Sequence, residues 1–163
     1  MMNTIRTYIG LGSNLAHPIK QVQQALLALQ TLPQTRLMAS SSLYRSPPMG
    51  PQDQPDFINA VARLDTLLAP EPLLLALQTI ELQQGRQRGS DRWGPRTLDL
   101  DIILYGELTL NTPTLTLPHS GLLERDFWLI PLFELAPQLI LSNRIALKDY
   151  LNQNFPLDSL SKI

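Results

Sequence analysis

Apolar residues along the chain switch between two periods, and the switches mark its elements. Thr4 to Leu11 is rich in β-formers and runs into Gly12-Ser13-Asn14, a strand exit that leads into a helix. Beyond His17-Pro18, the residues Ile19, Val22, Leu26 and Leu29 recur at helical spacing, with proline tolerated in the first turn; this predicts a helix reaching about Leu32. Leu37, Ala39, Ser41 and Leu43 then alternate with more polar neighbours, as do Ile58, Ala60, Ala62 and Leu64, giving two strands joined by a proline-rich connection. Leu73, Leu77 and Ile80 share one face of a helix from Glu71 to Gln84, with Gly85 in the position expected after its end. The next strand sets Leu98, Leu100 and Ile102 against Asp99 and Asp101. The order β-α-β-β-α-β predicts an α+β, ferredoxin-like core, an antiparallel sheet with helices on both faces. A short hairpin near Gly106 and one or two helices after Pro118 should complete it. Neither repeat nor linker divides the chain, so residues 1–163 read as one domain.

Composition narrows the function classes. The chain has no cysteine, which removes disulfide frameworks, thiolate zinc sites and cysteine nucleophiles. Lys+Arg number 13 against 14 Asp+Glu, so the overall basic field of a nucleic-acid binder is missing. No apolar run approaches a membrane span, and Met1 to Arg6 lacks the apolar core of a signal peptide; a cytoplasmic location is expected.

The positive charge that exists is local. Gly85 to Thr97 holds Arg86, Arg88, Arg92 and Arg96, and runs directly into Asp99-Leu100-Asp101. Side chains two apart in a strand share a face, so the two carboxylates stand side by side, roughly 7 Å apart at their Cα atoms. Hard oxygen ligands of this kind suit Mg²⁺, which keeps several waters and is completed by substrate phosphates. Arginine forks match phosphate oxygens and stabilise charge on a transferring phosphoryl group. An Asp-x-Asp alone also describes any amphipathic edge strand, and an arginine-rich loop is usually solvated; here Trp93-Gly94-Pro95-Arg96 ties the two features together. A second long connection, Arg45 to Asp56, is rich in proline, with Pro47, Pro48, Pro51 and Pro55. Long loops of unusual composition are either functional lids or disordered segments, and the proline-rich one also reads as a rigid polyproline-like surface loop.

Three segments in this order, Tyr8 to Leu15 (YIGLGSNL), Ser46 to Asn59 (SPPMGPQDQPDFIN) and Arg92 to Ile102 (RWGPRTLDLDI), resemble the 6-hydroxymethyl-7,8-dihydropterin pyrophosphokinases of folate biosynthesis. The likeness spans about Thr7 to Pro137. It implies transfer of the terminal diphosphate of ATP to the pterin's hydroxymethyl oxygen, with AMP as the other product and two loops folding over the substrates.

Site residues follow from that resemblance. Asp99 and Asp101 match the carboxylates that hold two Mg²⁺ ions along the triphosphate. Arg86 and Arg96 match the arginines that assist transfer, and Trp93 the aromatic that seals the closed site against both substrates. Asn59 matches the residue reading the pterin edge, Phe57 and Phe127 the aromatics that sandwich its ring, and Ser46, Pro47 and Met49 the pocket wall. Gln78, Glu81, Arg88, Ile102, Thr116, His119 and Arg125 fall where the family holds ATP. Read from the residues alone, Phe57 is also an ordinary core side chain and His119 a capping or buried histidine. The chain departs from the family pattern at Phe57, where tyrosine is frequent, and at Gly89, Thr114 and Ser120, where some members have lysine, arginine and tyrosine. None of these touches the carboxylate pair or the transfer arginines.

Other classes fit less well. An RNA-binding sheet of this topology would show exposed aromatics and a basic surface. A silent ATP-binding protein would lack one of the four charged residues Arg86, Arg96, Asp99 or Asp101, and a P-loop kinase would carry its glycine-lysine motif. The expected partners are therefore ATP and the pterin, with neither nucleic acid nor membrane, and the expected state is a monomer.

Overall fold

The computed structural model describes residues 3–48, 53–85 and 98–163. β1 (Ile5–Ser13) leads to α1 (Pro18–Leu29), β2 (Thr35–Ser40), β3 (Tyr44–Ser46), β4 (Phe57–Thr66), α2 (Pro70–Gln83) and β5 (Asp99–Tyr105). A small hairpin of β6 (Leu110–Asn111) and β7 (Thr116–Leu117) follows, then α3 (Asp126–Leu135), α4 (Leu147–Asn154) and a terminal strand β8 (Ser161–Lys162). The main sheet runs β5-β1-β4-β3-β8, with β2 also paired to β4, and the pairings within it are antiparallel. This is the expected ferredoxin-like core. Among the described residues, no helix is long and apolar enough to cross a membrane.

Strand alternation sorts the sheet into two faces. Ile9, Leu11, Ile58, Ala60, Ala62, Leu64, Leu100 and Ile102 join Val22, Ala25 and Leu29 of α1 and Leu73, Leu77 and Ile80 of α2 in one apolar cluster. Complete burial of a leucine or isoleucine stabilises by roughly 1.5–3 kcal/mol, so this face is the main source of cohesion. The opposite face contributes Tyr8, Val61 and Ile103 to a second cluster with Trp128, Leu129 and Leu132 of α3 and Leu147 and Leu151 of α4. Ile103 faces α3 by the same alternation as Asp99 and Asp101, and the shift of register opposite Tyr8 and Ile9 that passes over it puts Leu104 on that face as well and Tyr105 on the other.

Three boundaries differ from the sequence expectation. The alternating run Leu37 to Leu43 is two strands, because Ser41 and Ser42 divert the ladder. The Ser41 hydroxyl accepts the Val61 N–H at 2.9 Å, and the Ser42 N–H goes to the Glu134 carboxylate at 2.9 Å. α1 ends at Leu29 and not Leu32, since the next N–H groups bond three residues back, Thr31 to Ala28 at 3.0 Å and Leu32 to Leu29 at 3.4 Å. Gly106, with φ 53°, turns the chain out of β5, and the hairpin begins four residues later, at Leu110.

Candidate active site

The site lies on the α3 side of the sheet, where β1 presents no side chain. Gly12 sits in register between Asp99 of β5 and Asn59 of β4, and Gly10 between Asp101 and Val61. A Cβ on Gly12 would come 3.2 Å from Asn59 Oδ1, and one on Gly10 would come 2.5 Å from Trp128 Nε1. Gly12 thus leaves bare backbone between Asp99 and Asn59, while the Trp128 indole covers Gly10 beside Asp101. Glycine weakens a strand interior, and here it leaves space for close approach.

On the Asn59 border, the carboxamide is buried and its Nδ2 donates to the Ser46 hydroxyl at 2.7 Å. That bond leaves Oδ1 turned toward the floor beside Gly12. Phe57 pairs with Ser46 across β3 and β4 and is half-buried. Asn14, also buried, donates to Gln54 Oε1 at 2.9 Å and to the Pro55 carbonyl at 3.0 Å, fastening the end of the proline-rich connection to the exit of β1.

On the carboxylate border, His119 Nε2 lies 3.8 Å from Asp101 Oδ1. The His119 Nδ1 accepts the Gly121 N–H at 3.0 Å, so the neutral ring carries its proton on Nε2, toward the aspartate. The imidazole meets Trp128 edge to face with centroids 4.7 Å apart, and the Arg125 guanidinium lies 4.5 Å from the same indole. Phe127 packs against Trp128 at 5.8 Å.

Asp99, Asp101, Ser46, Asn59, Phe57, His119, Arg125 and Phe127 are therefore gathered on one side of the sheet. Ile102 is not among them, because its side chain is in the apolar cluster on the opposite face. Glu81 is buried on α2 and accepts the Leu100 N–H at 2.8 Å, closing the outer edge of β5. Gln78 is exposed on the same helix, Pro47 is exposed after β3, and Thr116 lies in the hairpin with its hydroxyl 3.5 Å from Asn111 Oδ1. Thr114, one of the departures from the family pattern, donates to Glu71 of α2 at 2.9 Å. Met49, Arg86, Arg88, Gly89, Trp93 and Arg96 lie outside the described residues.

Sequence reasoning passed over Gly10, Gly12, Asn14, Gln54 and Trp128. The glycines carried a signal, since two small residues at period 2 inside a strand mark a face that something else must approach. Trp128 carried none, because it stands in the unbroken apolar run Phe127 to Phe133.

Fold and site together define an α+β domain that sets paired carboxylates beside bare strand backbone, with His119 next to Asp101 and Arg125 on the neighbouring indole. Residues 8–137 match the family model of 7,8-dihydro-6-hydroxymethylpterin-pyrophosphokinase (HPPK), and the chain belongs to that family. It is 60% identical over 134 residues to the 2-amino-4-hydroxy-6-hydroxymethyldihydropteridine pyrophosphokinase of Pseudomonas aeruginosa, covering 82% of each chain. It is 49% identical over 149 residues to the Haemophilus influenzae protein of the same name, covering 91% of this chain and 92% of that one. In fold it is similar to the Plasmodium falciparum HPPK-DHPS wild type, with a TM-score of 0.73 at 12% identity. That alignment takes in 98% of this chain and spans 44% of the longer one.

Proposed function

We infer that the chain transfers the terminal diphosphate of ATP to the hydroxymethyl oxygen of 6-hydroxymethyl-7,8-dihydropterin in folate biosynthesis, releasing AMP. The observation that carries this reading is the Asp99–Asp101 pair beside the bare backbone of Gly12, in a chain 60% identical to a pyrophosphokinase. The pterin oxygen bonds to the β-phosphorus, the bond from that phosphorus to the bridging oxygen of AMP breaks, and the hydroxyl proton passes to water. Alignment and charge neutralisation carry such a transfer, with little covalent work for the protein.

The residues fit Mg²⁺. Asp99 and Asp101 stand two apart on one face of β5 and offer hard carboxylate oxygens, the donor type that Mg²⁺ takes together with water and phosphate oxygens. Asp99 and Asp101 would hold two ions, which when bound neutralise the triphosphate and polarise its phosphoryl oxygens. Asn59, oriented by Ser46, reads the pterin edge, and Phe57 and Phe127 take its two ring faces, each good stack worth roughly 1 kcal/mol. His119 and Arg125 meet the nucleotide. Arg86 and Arg96 supply fixed positive charge to the transferring group, and closure of the Gly85 to Thr97 connection, with Trp93 in it, excludes water. Gln78, Glu81, Arg88, Ile102 and Thr116 complete the nucleotide side; the burial of Ile102 restricts it to a backbone contact.

The reading includes a monomeric, cytoplasmic protein of one domain without nucleic-acid partners, in keeping with a net charge of −1. Incubation with ATP, Mg²⁺ and the reduced pterin tests it. Consumption of ATP should depend on the pterin, and a protein that leaves both substrates unchanged contradicts the assignment.

A further inference from the structure

We propose that Trp128 is a positioning residue for the nucleotide side of the site, seated in the space that Gly10 leaves open and holding Arg125 and His119 in place. The inference rests on the reading above that those two residues meet ATP.

Beneath the indole, a Cβ on Gly10 would come 2.5 Å from Nε1, 2.8 Å from Cε2 and 3.0 Å from Cδ1. The ring cannot swing aside at low cost, because Trp128 is 3% exposed and packed within the second apolar cluster. Gly10 and Trp128 are thus matched in size across the sheet and α3. Above the indole, the Arg125 guanidinium lies 4.5 Å from the ring centroid, and a Cβ on Gly121 would come 2.7 Å from Arg125 Nε. The guanidinium therefore lies between the indole and bare Gly121 backbone. The Gly121 N–H also holds His119 Nδ1 at 3.0 Å, while the imidazole leans on the indole at 4.7 Å. Two side chains assigned to ATP thus share one platform. A free arginine samples many rotamers, and ordering it on binding weakens affinity; a cation–π platform that orders it beforehand removes that cost. Phe127 sits farther from the ring, at 5.8 Å, and is aimed by its own place on α3. Loss of the platform should therefore act on ATP more than on the pterin.

The test is a cycle of Gly10→Ala, Trp128→Leu and the double variant, with thermal melts and separate KM values for the two substrates. Each single change should lower Tm, and the double variant should lose less than the sum, because the methyl introduced at position 10 no longer meets an indole. Its KM for ATP should nonetheless stay about tenfold above wild type, the loss of one desolvated cation–π contact, with the pterin KM within about threefold. A purely structural pair would recover ATP KM along with Tm. Additive Tm losses, a normal ATP KM in the double variant, or a pterin KM raised as much as that for ATP would overturn the proposal. Should the double variant not fold, calorimetric titration of Trp128→Leu with Mg²⁺ and a non-hydrolysable ATP analogue decides: about tenfold weaker binding supports the role, unchanged binding rejects it. His119→Ala and Arg125→Ala separate the two layers of the argument. A normal ATP KM in both would reject the nucleotide assignment itself, independently of Trp128.

Discussion

The two faces of the sheet are built from the same three strands, β1, β4 and β5, and do opposite things. Toward α1 and α2, β1 presents Thr7, Ile9 and Leu11, and every neighbouring position on β4 and β5 is filled by an apolar side chain. Toward α3, β1 presents Tyr8, Gly10 and Gly12, and the positions beside the glycines include Asp99, Asp101 and Asn59. The first face closes on itself. The second is apolar where Tyr8, Val61, Ile103 and Leu104 join the cluster with α3, and beyond them it opens into polar side chains beside the bare backbone of Gly12. Since a strand alternates at period 2, stability and chemistry are written on alternate residues of one segment, and a single substitution should damage one or the other.

Turnover gives the largest separation. Asp99→Ala and Asp101→Ala should each lower kcat on the order of a thousandfold or more by removing charge stabilisation from the triphosphate. Tm should stay level or rise slightly, because repulsion between neighbouring carboxylates is relieved and the partly exposed Asp101–His119 contact adds little. Near-normal activity at saturating Mg²⁺ in either variant would break the comparison. On the closed face, Leu11→Ala should cost about 2–5 kcal/mol of stability through lost burial and a residual cavity. Its kcat, measured well below its melting temperature, should remain within about threefold of wild type, since the removed atoms face away from the site. A selective loss of activity there would show that the faces are not independent.

Glu81 sharpens the boundary between them. Its carboxylate takes the Leu100 N–H at 2.8 Å, so Glu81→Ala leaves a buried donor unpaired and should cost about 1–3 kcal/mol in chemical denaturation. If the residue also meets ATP, the KM for ATP rises in the same variant; if it serves only the strand edge, that KM is unchanged.

The smallest expected effect concerns how α3 is held over the sheet. Burial pushes the Glu134 carboxyl up, but hydrogen bonds from the Tyr44 hydroxyl and from the Ser42 N–H and hydroxyl, with the Lys162 charge, outweigh it and hold the group below the ordinary carboxylate range. A lowered folded-state value means that this latch stabilises the protein fully above the ordinary carboxylate range and is lost as pH falls from there through the lower folded-state value. Melts of Glu134→Gln across the acid limb should show a flatter dependence on pH than wild type; identical slopes would remove Glu134 as a contributor.

The closed face was legible in the chain because it obeys a period. Ile58, Ala60, Ala62 and Leu64, and likewise Leu73, Leu77 and Ile80, announce both their elements and the side they bury. The acidic border was legible for the same reason, Asp99 and Asp101 being two apart. What the sequence concealed is carried by residues without a period. α3 contains Pro131 and an apolar run with no polar face, because it is buried between the sheet and its neighbours, so neither its bounds nor Trp128 could be read. The break between β2 and β3 depends on Ser41 and Ser42 bonding to Val61 and Glu134, which are 20 and 92 residues away in sequence. Ile102 comes to the nucleotide only through the family resemblance, and strand alternation sends its side chain to the face opposite Asp101.

The identity of the products tests the open, acidic face most directly. Phosphorus NMR of the protein turning over ATP and the reduced pterin with Mg²⁺ should show AMP and a pterin diphosphate appearing in equal amounts, the outcome of attack at the β-phosphorus. Stoichiometric ADP with a pterin monophosphate would place the attack at the γ-phosphorus and contradict the account, even with the pterin as a true substrate.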